Sequence, residues 1–273
     1  MSHSGNVKIL LVQPPRWSPD GHANFDAIEE LVASHAGDVM VLPELAGSSL
    51  PRAGYLARVR SLARRSGMAV VGGSHYDGPV HRGPVNRGPV NRGPVNRGVN
   101  SGAVNRGAVF GADGTLLAEY DKVHPYGVEL LSGVLPGRPS AGFELHGRRL
   151  RVLLCADLWY SASLAGHDGL DAVLVPAFSV TRWDGPAPAR ELWRHMSVAR
   201  AYEFMTYVAV SDWHHEATYL GHPCAGVTGF ADPCPRTHEG FFSGPPVAAV
   251  SAYDLDFDRL DAFRHDRAER GFR

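Results

Sequence analysis

Short apolar segments alternate with amphipathic stretches along most of this 273-residue chain, and no other feature restricts its possible folds as much. The apolar segments have the length of a strand rather than of a helix. They show no polar face, as is typical of strands covered on both sides of a sheet. Strands are predicted at residues 7–13, 38–43, 68–73, 171–176 and 206–210.

The stretches between these strands carry apolar residues at helical spacing. Residues 25–35, 55–65 and 189–205 place apolar side chains three or four positions apart, so that they share one helix face. Gly67 stands where the second helix should end, because glycine readily adopts the left-handed backbone of a helix C-terminus. Strands that alternate with helices predict a layered α/β fold.

Predicted hairpins interrupt this alternation. Residues 108–120 alternate in polarity around an Asp113-Gly114 turn, and residues 143–154 form a second pair that turns at Gly147. Hairpins pair antiparallel, whereas strands joined by helices pair parallel. We therefore expect mixed sheets.

The end of the chain is predicted to add one more pair of strands. These are residues 226–233 and 247–254, and the charged tail from Leu260 is expected to end in a mobile segment. No stretch has the composition of a linker between domains, so residues 1–273 are expected to form a single domain.

Residues 78–106 are unlike the rest of the chain. Gly-Pro-Val-His-Arg is followed by three copies of Gly-Pro-Val-Asn-Arg, and an altered copy, Gly-Ala-Val-Asn-Arg, ends at Arg106. A proline at every fifth position breaks helices and removes backbone donors that a sheet needs. We interpret the region as a tandem duplication that enlarged a surface loop and expect it to be poorly ordered. The alternative is an arginine-bearing lid over a cleft.

Composition excludes several classes of partner. The net charge is −1, which gives no basis for binding nucleic acid or a charged membrane surface. No apolar run reaches the ~20 residues of a membrane span, and the first residues lack the pattern of a secretory signal. The three cysteines have no metal-type spacing, so a reducing, cytoplasmic location is expected.

Three predicted strands are followed by side chains that can do chemistry together. Glu44 follows the strand at residues 38–43, Lys122 follows the first hairpin and Cys155 ends the second. A thiol is mostly protonated at neutral pH, so a nucleophilic cysteine needs a base or a cation nearby. We assign Glu44 as the base. Lys122 and the backbone N–H of Ala156 are assigned to stabilise the oxyanion of a tetrahedral intermediate.

Taken alone, each of these residues has an ordinary structural explanation. A cysteine that closes an apolar strand is often a small buried apolar side chain, and a lysine at a strand end is usually solvated. A glutamate after Leu-Pro is often a loop residue. Their joint occurrence favours a catalytic interpretation.

The segments that carry these residues resemble the nitrilase superfamily, also called carbon–nitrogen hydrolases. That family has a glutamate in a Leu-Pro-Glu context, a lysine in a Tyr-x-Lys-x-His context and a strand-ending cysteine followed by x-Asp. In this chain they are Leu42-Pro-Glu44, Tyr120-Asp-Lys122-Val-His124 and Cys155-Ala-Asp157. The resemblance covers almost the whole chain except the repeat.

The resemblance implies a four-layer α-β-β-α sandwich that associates as homodimers or larger homo-oligomers through helical faces. It implies no metal and no organic cofactor. It also implies a second glutamate soon after the lysine, which helps to position the catalytic groups. Glu129 stands at the matching place.

We predict a hydrolase that cleaves a non-peptide C–N bond of a small amide or carbamoyl compound through a thioester on Cys155. Nitrile-hydrolysing members tend to have Cys-Trp-Glu where this chain has Cys155-Ala-Asp157, which favours amides. Many amidases have Pro-Glu a few residues later, which this chain lacks, so we expect its pocket wall to differ. The candidate substrate-binding residues are Ala156, Tyr126, Trp159, Phe178 and Trp183.

Other functions remain open on the sequence alone. The same site could hydrolyse nitriles or transfer the acyl group to an amine, and the fold could serve a non-catalytic interaction protein. His214, His215 and His222 are interpreted as loop histidines rather than metal ligands, because no acidic or cysteine pattern accompanies them.

Overall fold

The computed structural model describes residues 6–79, 102–182, 185–219, 221–244 and 249–272 of the chain. Its helices are α1 (Gly21–Val32), α2 (Arg52–Ser66), α3 (Val128–Leu131), α4 (Ala187–Phe204) and α5 (Phe257–Glu269). Its strands are β1 (Val7–Val12), β2 (Val39–Val41), β3 (Ala69–Val71), β4 (His75–Asp77), β5 (Val104–Phe110), β6 (Leu116–Asp121), β7 (Phe143–Leu145), β8 (Arg148–Val152), β9 (Ala172–Pro176), β10 (Tyr207–Ser211), β11 (Thr218–Tyr219), β12 (His222–Pro223), β13 (Gly229–Ala231), β14 (Phe242–Ser243) and β15 (Val250–Leu255).

Seven strands form the first sheet. Its order is β15-β1-β2-β3-β5-β4, and β6 also pairs with β5. β1, β2 and β3 are parallel, because α1 and α2 cross over between them. The other pairs are antiparallel, including β5 with β6, which confirms the hairpin predicted around Asp113-Gly114. Gly67 ends α2 with φ of +66°, as predicted.

The second sheet has six strands in the order β14-β13-β10-β9-β8-β7. β8, β9 and β10 are parallel, and α4 makes the crossover from β9 to β10. β7 and β8 form the predicted hairpin, and Gly147 at its turn has φ of +74°. A separate short pair joins β11 and β12.

Three apolar clusters separate the layers and confirm the α-β-β-α sandwich. α1 and α2 pack on the outer face of the first sheet, for example Phe25 against the face that carries Met40. Ile9 of the first sheet and Leu174 of the second belong to one apolar cluster between the two sheets. Trp193 of α4 packs on the outer face of the second sheet. Each such side chain contributes about 1.5–3 kcal/mol when it is fully buried. No helix in the described ranges is long and apolar enough to cross a membrane.

The strand pair predicted at the end of the chain was wrong. β13 lies in the second sheet beside β10, whereas β15 pairs antiparallel with β1 in the first sheet, from Val250 opposite Val12 to Leu255 opposite Val7. Both segments are short and apolar, and neither carries a tight turn that would fix its partner. The charged tail is helical as α5, whose Leu260 is buried.

The loop interpretation was also wrong for the last copy of the repeat. Residues 80–101 lie outside the described part of the chain, so their predicted disorder stays a prediction. Val104, Asn105 and Arg106 begin β5 and pair with β4. This copy has Ala103 where the others have proline, which leaves its backbone N–H groups free to join the ladder.

Candidate active site

Three of the four predicted catalytic side chains lie at the ends of the two sheets, and the fourth, Glu129, lies on helix α3. Glu44 follows β2 and Lys122 follows β6 in the first sheet, while Cys155 follows β8 in the second. The N–H of Glu44 donates to the carbonyl of Ala177, which follows β9, at 3.1 Å. This backbone hydrogen bond joins the two sheets beside Glu44, so both sheets fix the position of that residue.

Lys122 lies between two carboxylates. Its Nζ is 2.8 Å from Oε1 of Glu44 and 2.6 Å from Oε2 of Glu129, and all three side chains are buried. Burial alone would lower the pKa of Lys122, but the charges of Glu44 and Glu129 raise it well above its ordinary value. The ammonium therefore stays charged at neutral pH, as an oxyanion-stabilising group must.

Asn105 completes this cluster, and the sequence analysis missed it. Its Nδ2 donates to Oε1 of Glu44 at 2.9 Å and to Oε1 of Glu129 at 2.8 Å, and the residue is fully buried. Ionised carboxylates only accept hydrogen bonds, which settles which end of the amide faces them. In the sequence, Asn105 is one of several asparagines at the fourth position of the repeat, which gives it no distinguishing feature. The polarity alternation that begins β5 in the copy without proline was the signal that could have revealed it.

Cys155 begins a short 3-10 helix, the cysteine turn (Cys155–Trp159). Its φ of +48° lies in the left-handed region, which is strained for a residue with a side chain and often marks functional sites. Burial raises the pKa of the Cys155 thiol well above its usual value; the charge of Glu44 adds to this and that of Lys122 opposes it. The free thiol is therefore neutral and needs a base to become a nucleophile.

Glu44 has the acidity of such a base. Burial raises the pKa of Glu44, the Lys122 ammonium lowers it and the charge of Glu129 raises it again. The resulting pKa is about 7. A carboxylate that titrates near neutral pH can both accept and return a proton at that pH.

Asp157 connects the lysine segment, Lys122 to His124, to the cysteine turn, Cys155–Trp159. It is buried, and its carboxylate accepts from the N–H of Val123 at 3.1 Å, from the N–H of His124 at 2.8 Å and from His124 Nδ1 at 2.8 Å. The His124 ring also stacks on Tyr160, with centroids 3.9 Å apart. These contacts give the histidine and aspartate of the two sequence motifs a shared structural role.

Three of the predicted substrate-binding residues lie within the cysteine turn or just before helix α3, which carries Glu129. Ala156 is buried in the first turn of the 3-10 helix, where N–H groups lack partners within the helix. Tyr126 is exposed, and its N–H donates to Oε2 of Glu129 at 3.0 Å. Its ring lies 6.1 Å from that of Trp159, which is also exposed. Trp183 lies outside the described residues.

Phe178 belongs to a second aromatic group that sequence reasoning did not find as a whole. Its ring lies 5.3 Å from that of Trp17 and 5.4 Å from that of Tyr219. Tyr76 of β4 lies opposite Asn105 in register, so the two side chains share one face of the sheet. Burial raises the pKa of Tyr76 well above its ordinary value, and the charge of Glu129 adds to this. Tyr76 therefore stands next to the charged cluster.

The histidines do not provide a convincing cation site. The ligand atoms of His214, His215 and Glu216 lie within 4.8 Å of one another, so an acidic neighbour is present that the sequence reading overlooked. However, Nη2 of Arg190 is 3.5 Å from Nδ1 of His215, and its positive charge would repel a metal ion.

Known proteins share this fold. A family model described as carbon-nitrogen hydrolase matches residues 8–222. Among solved structures, Nit3 of Saccharomyces cerevisiae, a member of branch 10 of the nitrilase superfamily, has a TM-score of 0.73 at 19% identity, over 96% of this chain and 94% of that chain. A mutant of the Nesterenkonia AN1 amidase, from the same superfamily, has a TM-score of 0.70 at 21% identity over 98% of each chain.

A third structure is XC1258 of Xanthomonas campestris, a CN-hydrolase superfamily protein with an arsenic adduct in its active site. Its TM-score is 0.70 at 21% identity, over 96% of this chain and 95% of that chain. No curated protein gives a significant sequence match. At these identities the likeness of the solved structures establishes the fold.

Proposed function

The chain belongs to the carbon–nitrogen hydrolase family, and on that premise we propose that it hydrolyses a small amide or carbamoyl compound through a thioester on Cys155. One observation carries this proposal: the buried Lys122 ammonium is held between Glu44 and Glu129, and the Cys155 thiol, at a strained turn, interacts with the Glu44 carboxylate. Burying such a charged group is costly, so its presence favours a role in chemistry over a role in stability.

Acylation uses Glu44 as the base. The carboxylate takes the thiol proton while Sγ of Cys155 attacks the carbonyl carbon of the substrate. The oxyanion that forms is stabilised by the Lys122 ammonium and the N–H of Ala156. The C–N bond then breaks, and the nitrogen leaves as ammonia or an amine with the proton that Glu44 returns. The products of this half-reaction are the thioester and the free amine.

Deacylation repeats the same proton transfers with water. Glu44 takes a proton from water as its oxygen attacks the thioester carbon, and the second tetrahedral intermediate uses the same oxyanion donors. The C–S bond breaks, the carboxylic acid leaves and the proton returns to sulfur. The base is thus restored after each cycle.

Glu129 acts through position and charge. It fixes one side of the Lys122 ammonium at 2.6 Å and shares the Asn105 amide with Glu44. Its negative charge also raises the pKa of Glu44 toward neutrality. We therefore assign Glu129 the positioning of the base and the oxyanion donor.

Amides are favoured over nitriles as substrates. The amidase of Nesterenkonia AN1 is among the proteins of similar fold, and one of its structures shows acrylamide joined to the active-site cysteine by Michael addition. The Cys155-Ala-Asp157 sequence also departs from the pattern of nitrile-hydrolysing members. We propose that Tyr126, Trp159 and Phe178 contact the acyl part of the substrate, since aromatic rings offer large apolar contact area.

Turnover of matched substrate pairs tests this proposal. Ammonia release is measured for small aliphatic and aromatic amides, for the nitriles of the same carbon skeleton and for carbamoyl compounds, with Cys155→Ala as the control. We expect release from at least one amide or carbamoyl compound and none from the variant. Turnover confined to nitriles, or equal turnover by the variant, would contradict the assignment.

A further inference from the structure

A cavity of about 270 Å³ lies next to the cysteine turn but is not lined by Glu44, Lys122, Glu129 or Cys155. Its wall includes Arg151 of β8, residues that follow the turn and the segment that carries His124. Liquid water occupies ~30 Å³ per molecule, so this volume holds a small anion together with a few waters.

The unusual residue in this wall is Arg151. Only 2% of its surface is exposed, yet within the described residues neither its Nε nor its Nη1 has a hydrogen-bond partner. Burial lowers the pKa of Arg151, and the charge of Asp157 opposes this only in part. A buried guanidinium with two nitrogens that lack acceptors is costly, which favours an additional counter-charge.

The acidic residues of the wall are engaged elsewhere. Asp157 accepts from Val123 and His124, as described above. Asp121 accepts from Nε of Arg106 at 2.6 Å and from Nη2 of Arg106 at 3.2 Å. Neither carboxylate makes a hydrogen bond to Arg151, so its N–H groups at Nε and Nη1 remain available to a ligand.

The other polar groups of the wall can all donate. The Ser163 hydroxyl is buried and also has no partner among the residues that the structure describes. His167 lines the same cavity, and burial followed by the charge of Arg151 lowers its pKa. A neutral imidazole still offers one N–H donor.

We propose that this cavity is a binding site for a small oxyanion of the phosphate or carboxylate class. The guanidinium of Arg151 offers charge-assisted N–H donors to the oxygens of the anion, and its Nε and Nη1 have no partner among the described residues. Ser163 and His167 add neutral donors. The site is separate from the thioester chemistry, so it stands whether or not the chain hydrolyses amides.

Calorimetric titration of the full chain with inorganic phosphate tests the site, and acetate and chloride at equal ionic strength separate the anion classes. We expect saturable binding of phosphate or acetate but not of chloride. Arg151→Met should weaken binding by about tenfold or more, because a charge-assisted hydrogen bond is lost. Arg149→Met is the matched control, since Arg149 lies on the same strand, is exposed and does not line the cavity.

Stability distinguishes loss of the site from loss of the fold. Without anion, Arg151→Met should unfold at the same temperature as the wild type or higher, because an unpaired buried charge is removed. If that variant does not fold, Ser163→Ala should still weaken binding by about threefold. The proposal is overturned if no oxyanion binds saturably, if Arg151→Met binds as the wild type does, or if Arg149→Met weakens binding equally.

Discussion

At the scale of single residues, the site depends on groups whose surroundings shift their acidity in different directions. Burial makes Glu44 a weaker acid and keeps the Cys155 thiol protonated, while two carboxylates keep Lys122 charged. A base, a neutral nucleophile and a fixed cation therefore coexist at neutral pH. These assignments predict how activity should depend on pH.

The ionisation of Glu44 should control the acid side of the pH profile. Its carboxylate is the active form, so kcat/KM should rise as the pH passes the pKa of Glu44, about 7, and should level off at higher pH. Glu44→Gln should lower turnover by at least ~10², because an amide cannot accept the thiol proton. A profile with no acid limb between about pH 6 and 8, or a Gln variant with normal turnover, would exclude Glu44 as the base.

Asn105 should affect the same acid limb of the pH profile, where kcat/KM rises with pH. Its amide donates to the ionised forms of Glu44 and Glu129, so Asn105→Ala should raise the pKa of Glu44 and move the acid limb upward by about 1–2 pH units. The Lys122 ammonium and the Cys155 thiol, which also face Glu44, remain in place.

A second buried asparagine provides the control for this variant. Asn24 accepts from the N–H of Ser18 at 2.7 Å and donates to the carbonyls of Ser18 and Ala46, none of which belongs to the charged cluster of Glu44, Lys122 and Glu129. Asn24→Ala should reduce stability without moving the limb. Equal shifts in both variants, or none in Asn105→Ala, would show that Asn105 acts on the fold alone.

At the scale of helices and strands, the sequence predicted the turns and helix ends that depend on neighbouring residues. The hairpins at Gly114 and Gly147 and the end of α2 at Gly67 follow from turn and cap chemistry near each residue. The partners of β13 and β15 do not, because long-range packing decides which short apolar strand lies beside which. Asn105 was hidden because its strand begins inside a repeat whose other copies contain proline.

The link between the lysine segment and the cysteine turn can be tested through Asp157. Asp157→Ala leaves the N–H groups of Val123 and His124 without their acceptor, so we expect a loss of about 2–4 kcal/mol in the free energy of unfolding. It should also lower kcat/KM in the folded protein, because Lys122 and Cys155 lose their common support.

Asp171 is the matched control for that variant. It is a buried aspartate that accepts from the N–H of Arg149 and from Nη1 of Arg264, both at 2.8 Å, and does not contact the site. Urea denaturation should show a loss of similar size for Asp171→Ala, while its kcat/KM stays near that of the wild type. Unchanged kcat/KM in Asp157→Ala would contradict the link.

At the scale of the whole molecule, the four layers leave helix α4 on the outside. Leu192 and Tyr202 of α4 are exposed, and a shallow apolar groove runs past Val198 and Tyr202 to Phe241 and Phe272. Exposed apolar patches of this kind often mark contact surfaces between proteins. We propose that two or more copies of the chain associate through this helical face.

Sedimentation equilibrium measures this association directly. The wild type should have a mass of two or more times the 29.5 kDa of one chain. Tyr202→Glu should reduce this mass toward that of a single chain. Leu116→Glu, at an exposed apolar residue of β6, should leave the mass unchanged. A wild type of single-chain mass at micromolar concentration would contradict the proposal.

Mass spectrometry of the protein during turnover of amides, carbamoyl compounds and nitriles tests directly whether Cys155 carries the acyl group. We predict an acyl adduct on the peptide that contains Cys155, absent from the peptides of Cys224 and Cys234 and removed by hydroxylamine, as a thioester requires. Cys155→Ala should fold normally and carry no adduct. Hydrolysis of an amide that proceeds without an adduct on Cys155, and persists in Cys155→Ala, would contradict the account.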